Sequence, residues 1–239
     1  MCIRDRYKSV MKKALVTGAT SGIGHAIVEK LLELGYFVYG VGRDFSKVNF
    51  GENFEGIQCD LFKYQNIESM IRELRKKAEI DLLINSAGVG YFGPHEEINA
   101  SKLHKMITLN LEAPIILTQL LLRDLKKNKG TIINISSITA KKSSVFGCAY
   151  SATKAGLGHF SESLFDEIRK TGVKVVCIYP DITKTPFYDD LNFSQGEDPQ
   201  SYILPECVAG GVETILSQRD GTVITQLLLQ PQKHMIKRK

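Results

Sequence analysis

The chain has 239 residues, 43% hydrophobic and 24% charged, a balance that suits a folded α/β chain with a full core and argues against disorder. No uninterrupted apolar run of about 18 residues occurs, and the opening MCIRDRYKSV has no apolar centre, so neither a bilayer span nor a secretory leader is expected and the cytoplasm is the default location. The net charge of +5 is scattered over short groups (72–77, 123–129, 141–142 and 233–239) near helix ends and in a tail, so no nucleic-acid partner is expected.

Residues 1–10 read as a non-structural extension, with Met11 able to serve as the natural start. From Lys13 onward, strand and helix alternate. Residues 14–17 form a short apolar strand. Residues 22–34 carry Ile23, Ile27, Leu31 and Leu34 at helical spacing and stop at Gly35. Strands follow at 37–41 and 56–59. Residues 65–78 predict a helix with Ile67, Met70, Ile71 and Leu74 on one face. A strand at 81–85 leads to a long helix at 101–125, a strand at 131–136 and a second long helix at 150–170. A strand at 173–179 is followed by an irregular stretch to Leu204. A last helix at 205–217 and a last strand at 223–229 precede a basic tail. Near-continuous Val/Ile/Leu strands alternating with helices imply a parallel sheet covered on both faces. Right-handed crossovers then give a doubly wound, Rossmann-type α/β fold of about seven strands. No linker or repeat is visible, so residues 11–239 are expected to form one domain, with ligands at the carboxyl ends of the strands.

The first strand runs into Thr17-Gly18-Ala19-Thr20-Ser21-Gly22-Ile23-Gly24. Glycines at a strand-to-helix junction let the backbone approach a pyrophosphate, and the helix N-terminus offers it free N–H groups. The spacing is TGxxxGxG, and here the chain resembles the short-chain dehydrogenase/reductase family. That resemblance makes Gly18, Thr20, Ser21, Gly22, Ile23 and Gly24 cofactor-binding residues. The end of the second strand should meet the adenosine ribose. It reads Gly42-Arg43-Asp44, with Gly42 where NAD-using members have Asp and Arg43 where NADP-using members have Arg. A planar guanidinium suits a 2′-phosphate, so NADP is expected ahead of NAD. Asp44 is the counter-signal, able to pair with Arg43 or to take the ribose itself. Asp60, with Leu61 beside it, matches the family's adenine-contacting position. Asn85-Ser86-Ala87-Gly88 resembles its NNAG segment, with Ser86 in place of the second Asn, which assigns Asn85, Ala87 and Gly88 to the cofactor. Pro180, Thr183 and Thr185 follow the sixth strand, where the family binds the nicotinamide carboxamide; Asp181 departs from the family's glycine.

Tyr150 and Lys154, spaced i, i+4, share one helix face. Alone this YxxxK is weak. With Asn110 and Ser137 it reproduces the order of the family's Asn-Ser-Tyr-Lys tetrad, so these four are the expected catalytic residues. Reduction of a carbonyl places negative charge on its oxygen, and a proton donor must stand within hydrogen-bond reach. A free tyrosine titrates near about 10. A neighbouring ammonium would lower that value, and Lys154 is expected to supply it. Ser137, rather than its neighbour Ser136, is expected to hold the substrate oxygen. Pro114 lacks an N–H and clashes with the carbonyl four residues earlier, that of Asn110, so a kink is expected there. The resemblance implies that the freed carbonyl holds a relay water.

Together these residues point to interconversion of a small carbonyl compound and its alcohol. A catalytically silent NADP-binding sensor or scaffold is the alternative on the same fold. Tyr91, Phe92, Phe146, Phe187 and Tyr188 suggest an apolar pocket, and residues 186–204 a lid. The resemblance also implies a homodimer or homotetramer. The five cysteines lie far apart with no CxxC pair, so no metal site or disulfide framework is expected.

Overall fold

Strands whose side chains are apolar on both faces must be buried on both, and helices have to supply the cover. A computed structural model, describing residues 11–233 and 235–239, shows this arrangement. In chain order the elements are β1 (Lys13–Thr17), α1 (Gly22–Glu33), β2 (Phe37–Gly42), β3 (Phe54–Gln58), α2 (Tyr64–Arg75), β4 (Leu82–Asn85), α3 (Ala100–Ile107), α4 (Ala113–Asn128), β5 (Thr131–Ile135), α5 (Cys148–Ile168), β6 (Lys174–Pro180), β7 (Phe193–Gln195), α6 (Pro205–Leu216), β8 (Gln226–Leu229) and β9 (Ile236–Arg238). The main sheet has seven strands in the order β3-β2-β1-β4-β5-β6-β8. Every pairing in it is parallel. This is the doubly wound Rossmann-type topology the sequence predicts. The expected extension at 1–10 lies outside the described residues.

Alternate strand residues feed two cores. Leu15, Val41, Leu83, Ile132 and Val175 pack with Ile67 and Ile71 of α2, Leu117 and Leu121 of α4, and Leu164 of α5. Val16, Ile84, Ile133 and Val176 pack on the other face with Ile27 and Leu31 of α1 and Val208 and Val212 of α6. Each such large side chain, once fully buried, contributes about 1.5–3 kcal/mol.

The long helix expected at 101–125 is one helical run, Ala100–Asn128, interrupted by a π turn at Thr108–Glu112. There the Ala113 N–H reaches the Thr108 carbonyl, five residues back. The wider turn accommodates Pro114, whose ring would otherwise meet the Asn110 carbonyl, so a π turn stands where a kink was expected. By length and composition alone this run could cross a membrane, contrary to the reading from uninterrupted apolar stretches. Its Leu117, Leu121 and Leu125 are fully buried in the core, which is the pattern of a core helix.

The stretch after β6, expected to be irregular, holds β7, which pairs antiparallel with β9 of the basic tail. Neither strand was predicted.

Candidate active site

The carboxyl ends of β1, β2, β4, β5 and β6 gather the expected residues. After β1 the chain must turn at once into α1. Gly22 does so with φ of +56°, a conformation costly for any residue with a Cβ, and a Cβ there would stand 3.2 Å from the Thr185 side chain. The glycine loop and the Thr185 segment are thus neighbours. Gly24 is held by space alone: a Cβ would fall 2.1 Å from the Gly18 carbonyl oxygen. Ser21, Thr20 and Ile23 complete the loop. Ser21 forms no side-chain cap, and the first turn of α1 carries no acid. The opening amides of α1 therefore have no helical partner and no side-chain cap, which fits a pyrophosphate. Thr17, at the end of β1, accepts the Ser86 and Ala87 N–H groups at 3.0 and 3.1 Å and so locks the glycine loop to the segment after β4.

Arg43 is exposed at the end of β2. Among the described residues its guanidinium has no ion-pair partner. Asp44 does not pair with it: the Ser46 N–H and hydroxyl donate to the two oxygens of its carboxylate at 2.8 and 3.0 Å. These bonds hold the Asp44 carboxyl below its usual range. A Cβ on Gly42 would come within 2.6 Å of the Thr20 methyl, so an acid at that position would need Thr20 to move. Asp60 accepts the Phe62 N–H at the approach to α2, with Leu61 buried beside it.

Asn85 is buried, and its amide donates to Asn134 at 2.8 Å, which leaves its backbone, rather than its side chain, beside the crevice. Asn134 in turn donates to Ser161. Gly88 lies between two expected catalytic groups: a Cβ there would be 3.3 Å from Asn110 Oδ1 and 3.4 Å from Lys154 Nζ. Asn110, in the π turn, accepts the Val89 N–H and donates to the Val89 carbonyl and to Thr153 Oγ1 at 3.1 Å. Thr153 donates to the Tyr150 carbonyl. Asn110 thereby ties the β4 loop to the helix that carries Tyr150. Thr153, Thr17 and Asn134 were not among the expected site residues. Each had a signal: Thr153 stands inside YxxxK, Thr17 heads the glycine loop, and Asn134 is polar within the apolar strand TIINI.

Tyr150, Ser137 and Lys154 are all buried. Ser137 caps a short 3-10 turn by accepting the Thr139 N–H, and its hydroxyl stands beside the Tyr150 phenol. Ser136 donates to the Lys154 carbonyl at 2.8 Å and so faces away, as the spacing predicts. One electrostatic expectation is overturned. Burial raises the Tyr150 phenol far above its ordinary value, aided by the Tyr188 phenol, and only Ser137 opposes the rise. The Lys154 ammonium, which donates to the Ile135 carbonyl at 3.0 Å and stands 5.9 Å from the Tyr150 ring centre, does not outweigh that burial. Burial instead lowers Lys154 itself to about 8.

Phe92 covers the Tyr150 ring at 5.1 Å, and Phe187 stands at 6.0 Å. Phe146 is exposed with φ of +61°, and its carbonyl accepts the Gly93 N–H next to Phe92 at 2.8 Å. Pro180 ends β6. Thr183 is buried, with its hydroxyl donating to the Asp181 carbonyl, and the Thr185 hydroxyl donates to the Thr183 carbonyl. Asp181 is turned to the sheet edge, where Lys142 and Gln230 donate to it at 3.1 and 3.3 Å. Its carboxylate is committed there.

The sequence model of the short chain dehydrogenases matches residues 12–195. The chain belongs to the short-chain dehydrogenase family. This short-chain dehydrogenase is 29% identical over 227 residues to an uncharacterised oxidoreductase of Staphylococcus epidermidis, covering 92% of this chain and 97% of that one. Its structure superposes with a TM-score of 0.79 on a metagenomic short-chain oxidoreductase solved with NADP, at 31% identity over 93% of this chain and 97% of the other. A 3-ketoacyl-(acyl-carrier-protein) reductase of Brucella melitensis, solved with NADH, shares the fold at a TM-score of 0.82 and 22% identity, over 94% and 98% of the two chains. The protein is an oxidoreductase of this family.

Proposed function

We propose that this short-chain dehydrogenase is an NADPH-dependent reductase of small carbonyl compounds with Tyr150 as proton donor. The observation that carries the proposal is that Asn110 and Lys154 meet at Gly88 and Ser137 stands beside the buried Tyr150, at the carboxyl edge of the sheet that also holds a glycine loop free of side-chain caps. When bound, the reduced nicotinamide supplies the hydride. Gly18, Gly22 and Gly24 with the α1 amides hold the pyrophosphate, Arg43 the 2′-phosphate, Asp60 the adenine and Thr185 the carboxamide. As the C=O π bond breaks, the oxygen takes the electron pair and then the Tyr150 proton. Ser137 holds that oxygen by a hydrogen bond. The raised Tyr150 value keeps the phenol protonated near neutral pH, as a donor requires. Lys154 binds the nicotinamide ribose and helps to return a proton to Tyr150 afterwards. Asn110 sets the spacing between the β4 loop and α5.

Preference for NADPH rests on Arg43 and on the commitment of Asp44 to Ser46. A charge-assisted contact is worth about 1.5–3 kcal/mol. Arg43→Ala should therefore weaken NADPH at least about tenfold and leave NADH within about threefold. Titration of both cofactors against parent and variant checks this. Equal affinity of the parent for the two would refute the assignment of Arg43.

A further inference from the structure

Residues 233–239 read in the sequence as a basic tail, yet Lys233 and residues 235–239 are engaged with another segment. The Gly196 N–H donates to the Met235 carbonyl and the Lys239 N–H to the Asn192 carbonyl, at 3.2 and 2.9 Å, around the β7–β9 ladder. Lys237 pairs with Glu197 at 2.5 Å and Lys233 with Asp198 at 2.8 Å. The Lys239 ammonium donates to the Tyr188 and Asp189 carbonyls at 2.6 and 2.9 Å. All of these partners lie in the segment that follows β6. The inner side of that segment is aromatic. Phe193 of β7 meets Phe92 edge-on at 5.0 Å and Tyr188 at 5.7 Å, and Phe92 lies on Tyr150. The neck of the segment is closed separately, by the Ile203 N–H donating to the Ile182 carbonyl and the Lys184 N–H to the Ile203 carbonyl.

We propose that residues 235–239 are a positioning latch for the substrate wall: β9 and its lysines hold β7, and with it Phe193 and Tyr188, against Phe92 over Tyr150, so that the site favours carbonyl compounds with an apolar substituent. The substrate half of this rests on Tyr150 being the proton donor. The wall is lined by rings, and Lys237 and Lys239 are committed to Glu197 and to main-chain carbonyls, while the exposed Arg238 stands opposite Phe193 in the ladder, so it is the ring surface that favours an apolar substituent. Ile236, Lys237 and Arg238 are exposed. The latch is therefore held by main-chain bonds and surface ion pairs with little buried area, which makes it an element that opens locally without unfolding the sheet. Phe193 moves with β7 when it does, which gives a bulky apolar substrate a way in.

The test compares the parent, a chain lacking residues 235–239, Lys237→Glu, and Lys237→Glu combined with Glu197→Lys. Two readouts are used: hydrogen exchange of the amides of 187–196, and KM and kcat for acetophenone and for pyruvate with NADPH. Deletion should speed exchange in 187–196 by about tenfold or more and leave the amides of β1, β4 and β5 unchanged. It should raise KM for acetophenone by about tenfold, with kcat and NADPH affinity within about twofold. Lys237→Glu should speed the same amides by about two- to fivefold, the scale of an exposed ion pair, and Glu197→Lys should restore them. If deletion unfolds the whole chain, the charge pair decides alone. Unchanged exchange in 187–196, or no restoration by the swap, overturns the latch. Faster exchange with an unchanged KM for acetophenone, or a parent preference for pyruvate, overturns the substrate selection. A parent that reduces no carbonyl compound at all overturns the proposed function, while the exchange data still decide the latch.

Discussion

At the scale of single residues, burial decides the chemistry. Tyr150 was legible from its spacing to Lys154, but its environment was not, because the rings that cover it come from segments distant in sequence, Phe92 and Phe187. Lys154 carries a measurable consequence. Its folded value is lowered to about 8 from an unfolded value near 10.5, so at pH 7 it is charged inside the protein at a cost of about 3 kcal/mol, taken at about 1.36 kcal/mol per pKa unit. Between about pH 8 and 10.5 the unfolded chain binds the extra proton, so the parent gains stability as pH rises through that window; below it the penalty is constant. Lys154→Met removes the charge at every pH, although it also leaves the Ile135 carbonyl without its donor, at about 1–3 kcal/mol. Whatever that fixed offset, the variant should lose about 3 kcal/mol of stability relative to the parent on going from pH 7 to 10.5. Denaturant unfolding of both chains without cofactor measures this. A stability difference that stays constant with pH would contradict the buried ammonium.

At the scale of elements, the legible parts were those with a strong periodic signal. The amphipathic α2, with Ile67, Met70, Ile71 and Leu74 buried, fell close to its predicted bounds. The π turn did not show, since nothing in TLNLE breaks helical spacing; only Pro114 marked the place. Strands β7 and β9 were invisible because they are three residues long and the side chains of β9 face solvent, which leaves no alternation to read. The π turn can be tested. Pro114→Ala supplies an N–H that the preceding turn now lacks, which should let the helix close toward regular α spacing and shift Asn110. Turnover should fall about three- to tenfold, as for a small misplacement near the chemistry, with cofactor affinity unchanged. Amide exchange at Val89, whose N–H Asn110 accepts, should quicken. Unchanged turnover and exchange would mean that the π turn is only a packing solution. Gly24→Ala tests the other end of the site. Its Cβ would meet the Gly18 carbonyl at 2.1 Å, so α1 must move, and overpacking of this kind typically costs about 1–3 kcal/mol. Cofactor affinity should fall about tenfold or more, by titration; normal affinity would mean that the loop has room to spare.

At the scale of the molecule, alternation of apolar strands with helices was enough to read the doubly wound sheet, and with it the edge on which ligands bind. What stayed hidden was how the separate motifs meet there: Thr185 against Gly22, Thr17 holding the β4 loop, Asn110 and Lys154 on either side of Gly88. Such contacts depend on register and crossover geometry, which periodicity does not carry. The role of Asp181 was hidden for the same reason, since Lys142 and Gln230 reach it from other elements. The central claim is that this assembled edge delivers a proton from Tyr150 to a carbonyl oxygen. Its most direct test is steady-state oxidation of NADPH by a carbonyl substrate of the parent, measured for Tyr150→Phe beside NADPH affinity. Only the hydroxyl is removed, and general acid catalysis contributes about 10²–10⁴-fold, so kcat should fall by that factor while affinity stays within about twofold. Turnover near that of the parent would contradict the account.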